Sequence, residues 1–310
     1  MTGGSRPHFC DRLAALVEER RSRVVLGLDP DPAALWPEAL SRFAGSGAGE
    51  SGHLARVHTA EAVTEHCRAA IVAAGPACVA VKLQLACFER LGAPGWEALE
   101  RTAAIARDHG LLVLADGKRG DVPVTARAYA QALVGETDGP FGPVAGLGAD
   151  AFTANPLLGR DALAPLVDAA AAAGAGAFLL VRTSNPGAAE LQDAGDPPLH
   201  ERLAELTNEL GAAHVGDCGL SLVGAVTGAT EPGLLGRLRE LMPRAVFLLP
   251  GVGAQGGRVE DLAAAFEPHP AAGLVTASRS IVNAHGERGG EPAAAAAAAA
   301  EELRAAAWDL

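Results

Sequence analysis

The sequence predicts a single-domain (β/α)8 TIM barrel, and three observations carry that prediction. Short apolar runs alternate with helical segments roughly eight times along the chain, the rhythm of such a barrel. The runs are built from Val, Leu and Ala, as strands covered on both faces are. Their carboxyl ends also collect polar residues, and that is where barrels of this kind place their chemistry. A doubly wound open sheet is the alternative, and Gly251-Val252-Gly253-Ala254-Gln255-Gly256-Gly257 could be cited for it. That glycine motif comes late in the chain, however, and lacks an acidic residue at dinucleotide spacing on a following strand.

In order, Arg12 to Arg23 reads as an amphipathic helix with Leu13, Leu16 and Val17 on one face. Residues 1–8 before it are expected to be disordered. Val24 to Asp29 is the first strand, stopped by Pro30 and Pro32. Residues 44–52, rich in Gly and Ser, should form a surface loop, and Leu54 to Ala74 a helix. The second strand, Ala77 to Leu83, carries Lys82 near its end. A helix from Gly95 to His109 closes on Gly110, a natural left-handed stop. Leu111 to Ala115 is the third strand and Val124 to Val134 the next helix, followed by an irregular stretch over 135–148.

The fourth strand, Ala149 to Ala154, ends at Asn155-Pro156, and a helix spans Asp161 to Ala173. The fifth, Ala175 to Val181, ends in Arg182-Thr183-Ser184-Asn185-Pro186. The polar, Pro-bounded loop over 187–198 is of a kind that can fold over a ligand. His200 to Leu210 is helical, Leu220 to Val226 is the sixth strand, and Pro232 to Leu241 is helical again. Ala245 to Leu249 and Ala272 to Thr276 are the last strands. The alanine tract Ala293–Ala300, with Leu303 and Trp308, gives a final helix within 291–310.

A formal net charge of −12 argues against general nucleic-acid binding, while leaving room for a local anion site. Five scattered cysteines, with no CxxC pair, read as reduced thiols of a cytoplasmic protein. No signal core or membrane-length apolar run is present in the sequence.

Asp116-Gly117-Lys118-Arg119-Gly120-Asp121 places four charges in six positions directly after an apolar strand. Taken alone it could be an exposed turn. The other strand ends, however, contribute Asp29, Lys82, Asn155, Thr183, Ser184, Thr227, Gln255 and Arg279, which together make a polar ring. Gly253 and its neighbouring glycines let backbone N–H groups approach an anion, and Ser278-Arg279 adds a fixed guanidinium, so the last two strands predict a phosphate site. None of the nine histidines falls in a strand-end turn, which disfavours histidine acid–base chemistry or a histidine metal site. Lys82, Lys118, Asp116 and Asp121 remain as an alternating charge array able to act on a substrate whose charge moves.

These motifs resemble orotidine 5'-phosphate decarboxylase in its longer bacterial (type 2) form. The resemblance rests on Asp116-x-Lys118-x-x-Asp121 followed by Thr125, on Lys82, and on Gly27-Leu28-Asp29-Pro30. Arg182 to Gly187, Pro250 to Gly257 and Ala277-Ser278-Arg279 extend it over about residues 24–282. Leu157 departs from the pattern, which has an aromatic residue there. The resemblance implies cofactor-free and metal-free decarboxylation of orotidine 5'-monophosphate to uridine 5'-monophosphate. It makes Lys118 the general acid, sets Asp116 and Asp121 beside the departing carboxylate, and lets Lys82 bridge Asp116 and the ribose. Asp29 then binds the ribose, Ser184 reads the pyrimidine, and Gln255 and Arg279 hold the phosphate, with Asn155, Thr183, Gly253 and Ser278 also against the substrate. It further implies a homodimer in which Asp121 and Thr125 reach the neighbouring site. The alternatives are an aldolase using a lysine Schiff base, a metal-dependent sugar-phosphate lyase, and a nucleotide-binding protein without activity.

Overall fold

Every residue of Val24–Leu28, Ser221–Thr227 and Gly273–Ala277 is buried. Strands with no exposed face need cover on both sides, and a closed barrel ringed by helices supplies it. The computed structural model describes residues 6–43 and 52–310. Its barrel strands are β1 Val24–Leu28, β2 Ala80–Gln84, β3 Leu112–Arg119, β4 Ala151–Ala154, β5 Gly176–Arg182, β6 Ser221–Thr227, β7 Ala245–Pro250 and β8 Gly273–Ala277. Each pairs in parallel with the next, and β8 closes onto β1. The sequence-predicted (β/α)8 barrel is the observed fold, with all eight strands where their apolar runs put them.

The principal helices are α1 Phe9–Arg20, α2 Gly52–Ala74, α3 Ala93–Asp108, α4 Pro123–Leu133, α5 Arg160–Ala172, α6 Leu199–Gly211, α7 Leu235–Leu241 and α8 Pro292–Trp308. Their apolar faces pack on the outside of the barrel: Val63, Cys67, Ala70 and Ile71 of α2, with Leu163 and Leu166 of α5, join one core with outward strand residues such as Val81 and Val113. In α8 the buried positions after Pro292 are all alanines, Ala296, Ala299 and Ala300 among them, so this helix lies close against its neighbours. The β7–β8 crossing has no α-helix; three short 3-10 turns, Val259–Asp261, Ala263–Phe266 and Pro270–Ala272, span it. Pro268 and Pro270 explain this, because each lacks the N–H a helix interior needs.

Helix α1 begins at Phe9, earlier than its apolar spacing predicts, and it seals the amino-terminal mouth of the barrel. Phe9 meets Phe178 edge to face at 6.0 Å. Around the rim Arg12 pairs with buried Asp150 and donates to Gly174 O, while Arg20 donates to Gly75 O and Cys78 O. Each buried Phe contributes roughly 1.5–3 kcal/mol to such a plug. With one mouth closed, ligand access falls to the carboxyl ends.

Several expectations are corrected. Of residues 1–8, expected to be disordered, residues 6–8 are ordered: Arg6 pairs with Asp150, and the His8 side chain caps α1 by accepting from Cys10 N. The remainder, residues 1–5, lie outside the described residues, as do 44–51 of the expected surface loop. Gly52 already belongs to α2. The loop over 187–198 contains a helix, Ala188–Gln192, and the irregular stretch over 135–148 contains a hairpin of Glu136–Thr137 with Val144–Ala145. The cysteines are free thiols, and burial pushes Cys67 and Cys78 up to about 12, so both are inert. No helix among the described residues is long and apolar enough to cross a membrane.

Candidate active site

Strand registry assembles the charges. Gln84 on β2 stands beside Asp116 on β3, and Gly27 on β1 stands beside Lys82. Residues two apart on a strand share a face, so Lys82 and Gln84, like Asp116 and Lys118, point the same way. Asp116 is the hub. Its Oδ2 accepts from Lys82 Nζ at 2.6 Å and from Gln84 Nε2 at 3.3 Å. Its Oδ1 accepts from Lys118 Nζ at 2.7 Å and from Thr153 Oγ1 at 2.8 Å. Four donors fill the roughly four lone-pair sites of a carboxylate. Asp29 extends the array, its Oδ1 lying 3.7 Å from Lys82 Nζ.

Charge decides the protonation states. Burial would drive Asp116 towards the neutral acid, but Lys82 and Lys118 outweigh it and hold the carboxyl well below the usual carboxylate range. Burial would likewise strip the proton from Lys82, yet Asp116 and then Asp29 prevail and raise it above the ordinary lysine value. Lys82 is nearly inaccessible, whereas the Lys118 side chain is 44% exposed and faces the cavity. These two are the only lysines in the sequence; every other permanently cationic side chain is arginine.

The end of β3 is shaped to present Lys118. Pairing with β4 shifts register between Ala115 and Arg119, and Lys118 takes a left-handed backbone at φ 48°. Few non-glycine residues adopt that region, and strain of this kind concentrates at functional sites. Thr153 Oγ1 accepts from Lys118 N at 2.9 Å and so ties the strained peptide to β4. Gly120 is required on steric grounds, since a Cβ there would sit 2.8 Å from Asn155 O. Arg119 turns outward, bonded to Glu89 and stacked 5.3 Å over Tyr129. The neighbouring Asp121 accepts from Val122 N at 2.7 Å.

The array forms one wall of a cavity of about 900 Å³ at the carboxyl ends of the strands. Leu180, Val226 and Leu248 give it an apolar floor, and Asp29, Ser184, Thr183, Gln255, Ser278 and Arg279 stand around it. The exposed Arg279 guanidinium has no hydrogen-bond or ion-pair partner among the described residues, leaving its fork available to an anion. The turn after β7 folds on itself through Gly253 N to Gly257 O and Gly257 N to Gly251 O, at 2.9 and 3.0 Å. The Gly253 N–H, expected to face an anion, is therefore taken up inside the turn.

Other sequence-predicted residues are placed elsewhere. Asp121, Thr125 and Asn155 do not line the cavity of their own chain; Thr125 lies on α4, and Asn155 Oδ1 accepts from Leu157 N at 3.1 Å. The Thr183 hydroxyl is engaged by Asn185 and Gln192. Leu157, where the resemblance has an aromatic residue in the pocket wall, is 63% exposed and outside the cavity lining. The loop that begins at Gly187 is anchored by Asp193, which accepts from Arg182 Nε at 2.8 Å and Nη2 at 3.0 Å and contacts His200.

Sequence reading missed Thr153, Gln84, Gln192 and Thr276. Thr153 and Gln84 complete the coordination of Asp116, Gln192 holds Thr183, and Thr276, whose buried hydroxyl has no partner among the described residues, lines the cavity. The available signal was spacing: Gln84 lies two residues after Lys82, on the same face of the strand.

A closed parallel barrel whose carboxyl mouth holds a Lys–Asp–Lys array opposite an exposed arginine defines the chain as a (β/α)8-barrel enzyme. Residues 22–299 match the profile of the orotidine 5'-phosphate decarboxylase / HUMPS family, and the chain belongs to that family. It is 39% identical over 301 residues to the orotidine 5'-phosphate decarboxylase of Deinococcus radiodurans, spanning 97% of this chain and 98% of that protein. The Haloarcula marismortui orotidine 5'-phosphate decarboxylase is 41% identical over 295 residues, 93% of this chain and 89% of that one. Among solved structures, Leishmania donovani OMP decarboxylase superposes with a TM-score of 0.70 at 30% identity, covering 96% of this chain and 98% of that one.

Proposed function

We propose that this enzyme converts orotidine 5'-monophosphate to uridine 5'-monophosphate and carbon dioxide, in pyrimidine biosynthesis, with no cofactor. The observation that carries the reading is the buried Asp116 carboxylate with a lysine on each oxygen. The substrate's phosphate sits against Gln255, Ser278 and Arg279, its pyrimidine against Ser184, and its ribose between Asp29 and Lys82. Its carboxylate then lies near Asp116. When the bond from the ring to the carboxylate breaks, carbon dioxide leaves and the electron pair stays on the ring carbon. The Lys118 ammonium stabilises that carbanion and transfers a proton from Nζ to it. The resulting neutral amine is reprotonated from solvent. Phosphate contacts remote from the reacting carbon supply binding energy that orients the ring.

Asp116 has its lone-pair sites filled by four protein donors, which favours charge stabilisation over metal ligation as its role. The same ion pairing opposes a Schiff base at Lys82, whose nucleophilic neutral form is disfavoured. Asp121 and Thr125 serve the partner subunit of a homodimer. They lie outside their own cavity, beside exposed apolar Val122 and Val124.

The test follows the absorbance of the orotidine ring with wild type and Lys118→Ala, with and without EDTA. Turnover that EDTA leaves intact and Lys118→Ala abolishes is expected. Turnover retained in Lys118→Ala overturns the assignment, and turnover lost to EDTA and restored by magnesium overturns its metal-free form.

A further inference from the structure

One hydroxyl bridges the two groups the proposed chemistry depends on. Thr153 Oγ1 donates to Asp116 Oδ1 at 2.8 Å and accepts from Lys118 N at 2.9 Å. Thr153 is 1% exposed and sits on β4, a strand buried along its whole length. The bonds converge where β3 departs from regular pairing with β4, between Ala115 and Arg119. There Lys118 holds φ 48°, a left-handed conformation that is strained for a non-glycine residue. No ladder bond can hold a peptide that has left the ladder. A side-chain acceptor on the neighbouring strand can, and Thr153 is that acceptor.

We propose that Thr153 is a positioning residue for Lys118: its hydroxyl fixes both the strained backbone and the carboxylate that aims the ammonium into the cavity. The effect on turnover rests on the decarboxylase reading of the site, whereas the effect on Lys118 geometry does not. A hydroxyl can serve both bonds at once because it is donor and acceptor together. Valine keeps the shape of threonine and loses both functions; serine keeps both. With Thr153→Val the Lys118 N–H loses its partner, the left-handed turn relaxes towards regular strand, and Nζ leaves Asp116 Oδ1.

Displacements of about 1 Å at a reacting group can cost on the order of a hundredfold in rate, so Thr153→Val is expected to lower kcat by about ten- to a hundredfold. KM stays near wild type, because the phosphate rim on β7 and β8 is untouched. Thr153→Ser restores most of the activity. The structural arm needs no substrate. Lysine-selective 15N labelling yields signals from only two side chains, and Thr153→Val moves or broadens that of Lys118 while that of Lys82 stays.

Wild-type kcat in an active Thr153→Val enzyme, or a Lys118 signal unchanged by the substitution, overturns the proposal. So does a serine variant as impaired as valine. If valine prevents folding, Thr153→Ala is read against Thr153→Ser by the same criteria. Failure of the decarboxylase reading shows separately, as a wild-type enzyme without turnover or an active Lys118→Ala variant, and the lysine signals still decide the role of Thr153.

Discussion

Lys82 Nζ lies 2.6 Å from Oδ2 of Asp116, and the two side chains are 9% and 6% exposed. A buried ion pair owes its stability to both partners, because removing one leaves the other's charge uncompensated, at a cost of about 3–5 kcal/mol. Asp116→Asn is therefore expected to destabilise the fold by that order, and Lys82→Met with Asp116→Asn to recover part of the loss. Urea unfolding of the two variants and wild type measures both numbers. An Asp116→Asn protein as stable as wild type would show that the pair is already solvated.

The same pair predicts an unusual titration. Lys82 and Lys118 are the chain's only lysines, so their ammonium groups can be followed without interference from other lysine side chains. Burial lowers the Lys82 pKa, but Asp116 and Asp29 reverse that and raise it above the ordinary value. Lys82 is thus expected to remain protonated where an exposed lysine has begun to lose its proton. Its contribution to stability is complete below the unfolded-state value near 10.4 and is lost as pH rises through the higher folded value. A Lys82 signal that titrates below the ordinary lysine value would mean that desolvation wins.

Acid stability is set in two windows by different groups. His66 is 3% exposed, its Nδ1 accepts from Trp36 N at 3.1 Å, and its ring packs edge-on to Trp36 at 5.3 Å. Burial, with a smaller push from His285, lowers its pKa to about 4. The unfolded chain binds this proton first, so stability is expected to fall as pH drops from about 6.5 to about 4, by up to about 3 kcal/mol. The depressed Asp116 carboxyl acts lower: its contribution is present above about 3.9 and is lost as pH falls through its folded value. Unfolding free energy measured across this range for wild type and His66→Gln separates the windows, the variant losing the slope between pH 6.5 and 4. An identical slope in both proteins would exonerate His66.

The barrel was legible because its strands are unbroken apolar runs whose ends are marked by charge, as at Leu112–Ala115 before Asp116. Lys82, Asp116 and Lys118 stood out for the same reason, since charges next to buried strands need partners. Thr153 did not, because one hydroxyl between Phe152 and Ala154 looks like ordinary strand filling. Its meaning comes from cross-strand register, which sequence spacing does not encode. The start of α1 was missed because His8 and Arg6 are held by Cys10 N and by Asp150, the latter far along the chain. The absent helix between β7 and β8 was foreshadowed by Pro268 and Pro270, whose effect is local.

The assembly prediction concerns Asp121. It follows β3 by two residues yet stays out of its own cavity, accepting instead from Val122 N, with Val122 55% and Val124 84% exposed beside it. Exposed apolar side chains flanking a carboxylate fit a surface that a second copy covers, and a two-fold interface would bring each Asp121 to the other subunit's site. Lys118→Ala and Asp121→Asn should then each be nearly inactive alone, because each homodimer lacks a necessary group in both sites. Mixed dimers differ. One site inherits both defects, while the other receives an intact Lys118 from one chain and an intact Asp121 from its partner. Unfolding the two variants together, refolding them and assaying orotidine turnover should therefore restore activity well above that of either variant, and sedimentation should show dimers throughout. Activity no higher than the average of the two variants, in a sample proven to contain mixed dimers, would place Asp121 in its own chain's site and remove the case for a shared one.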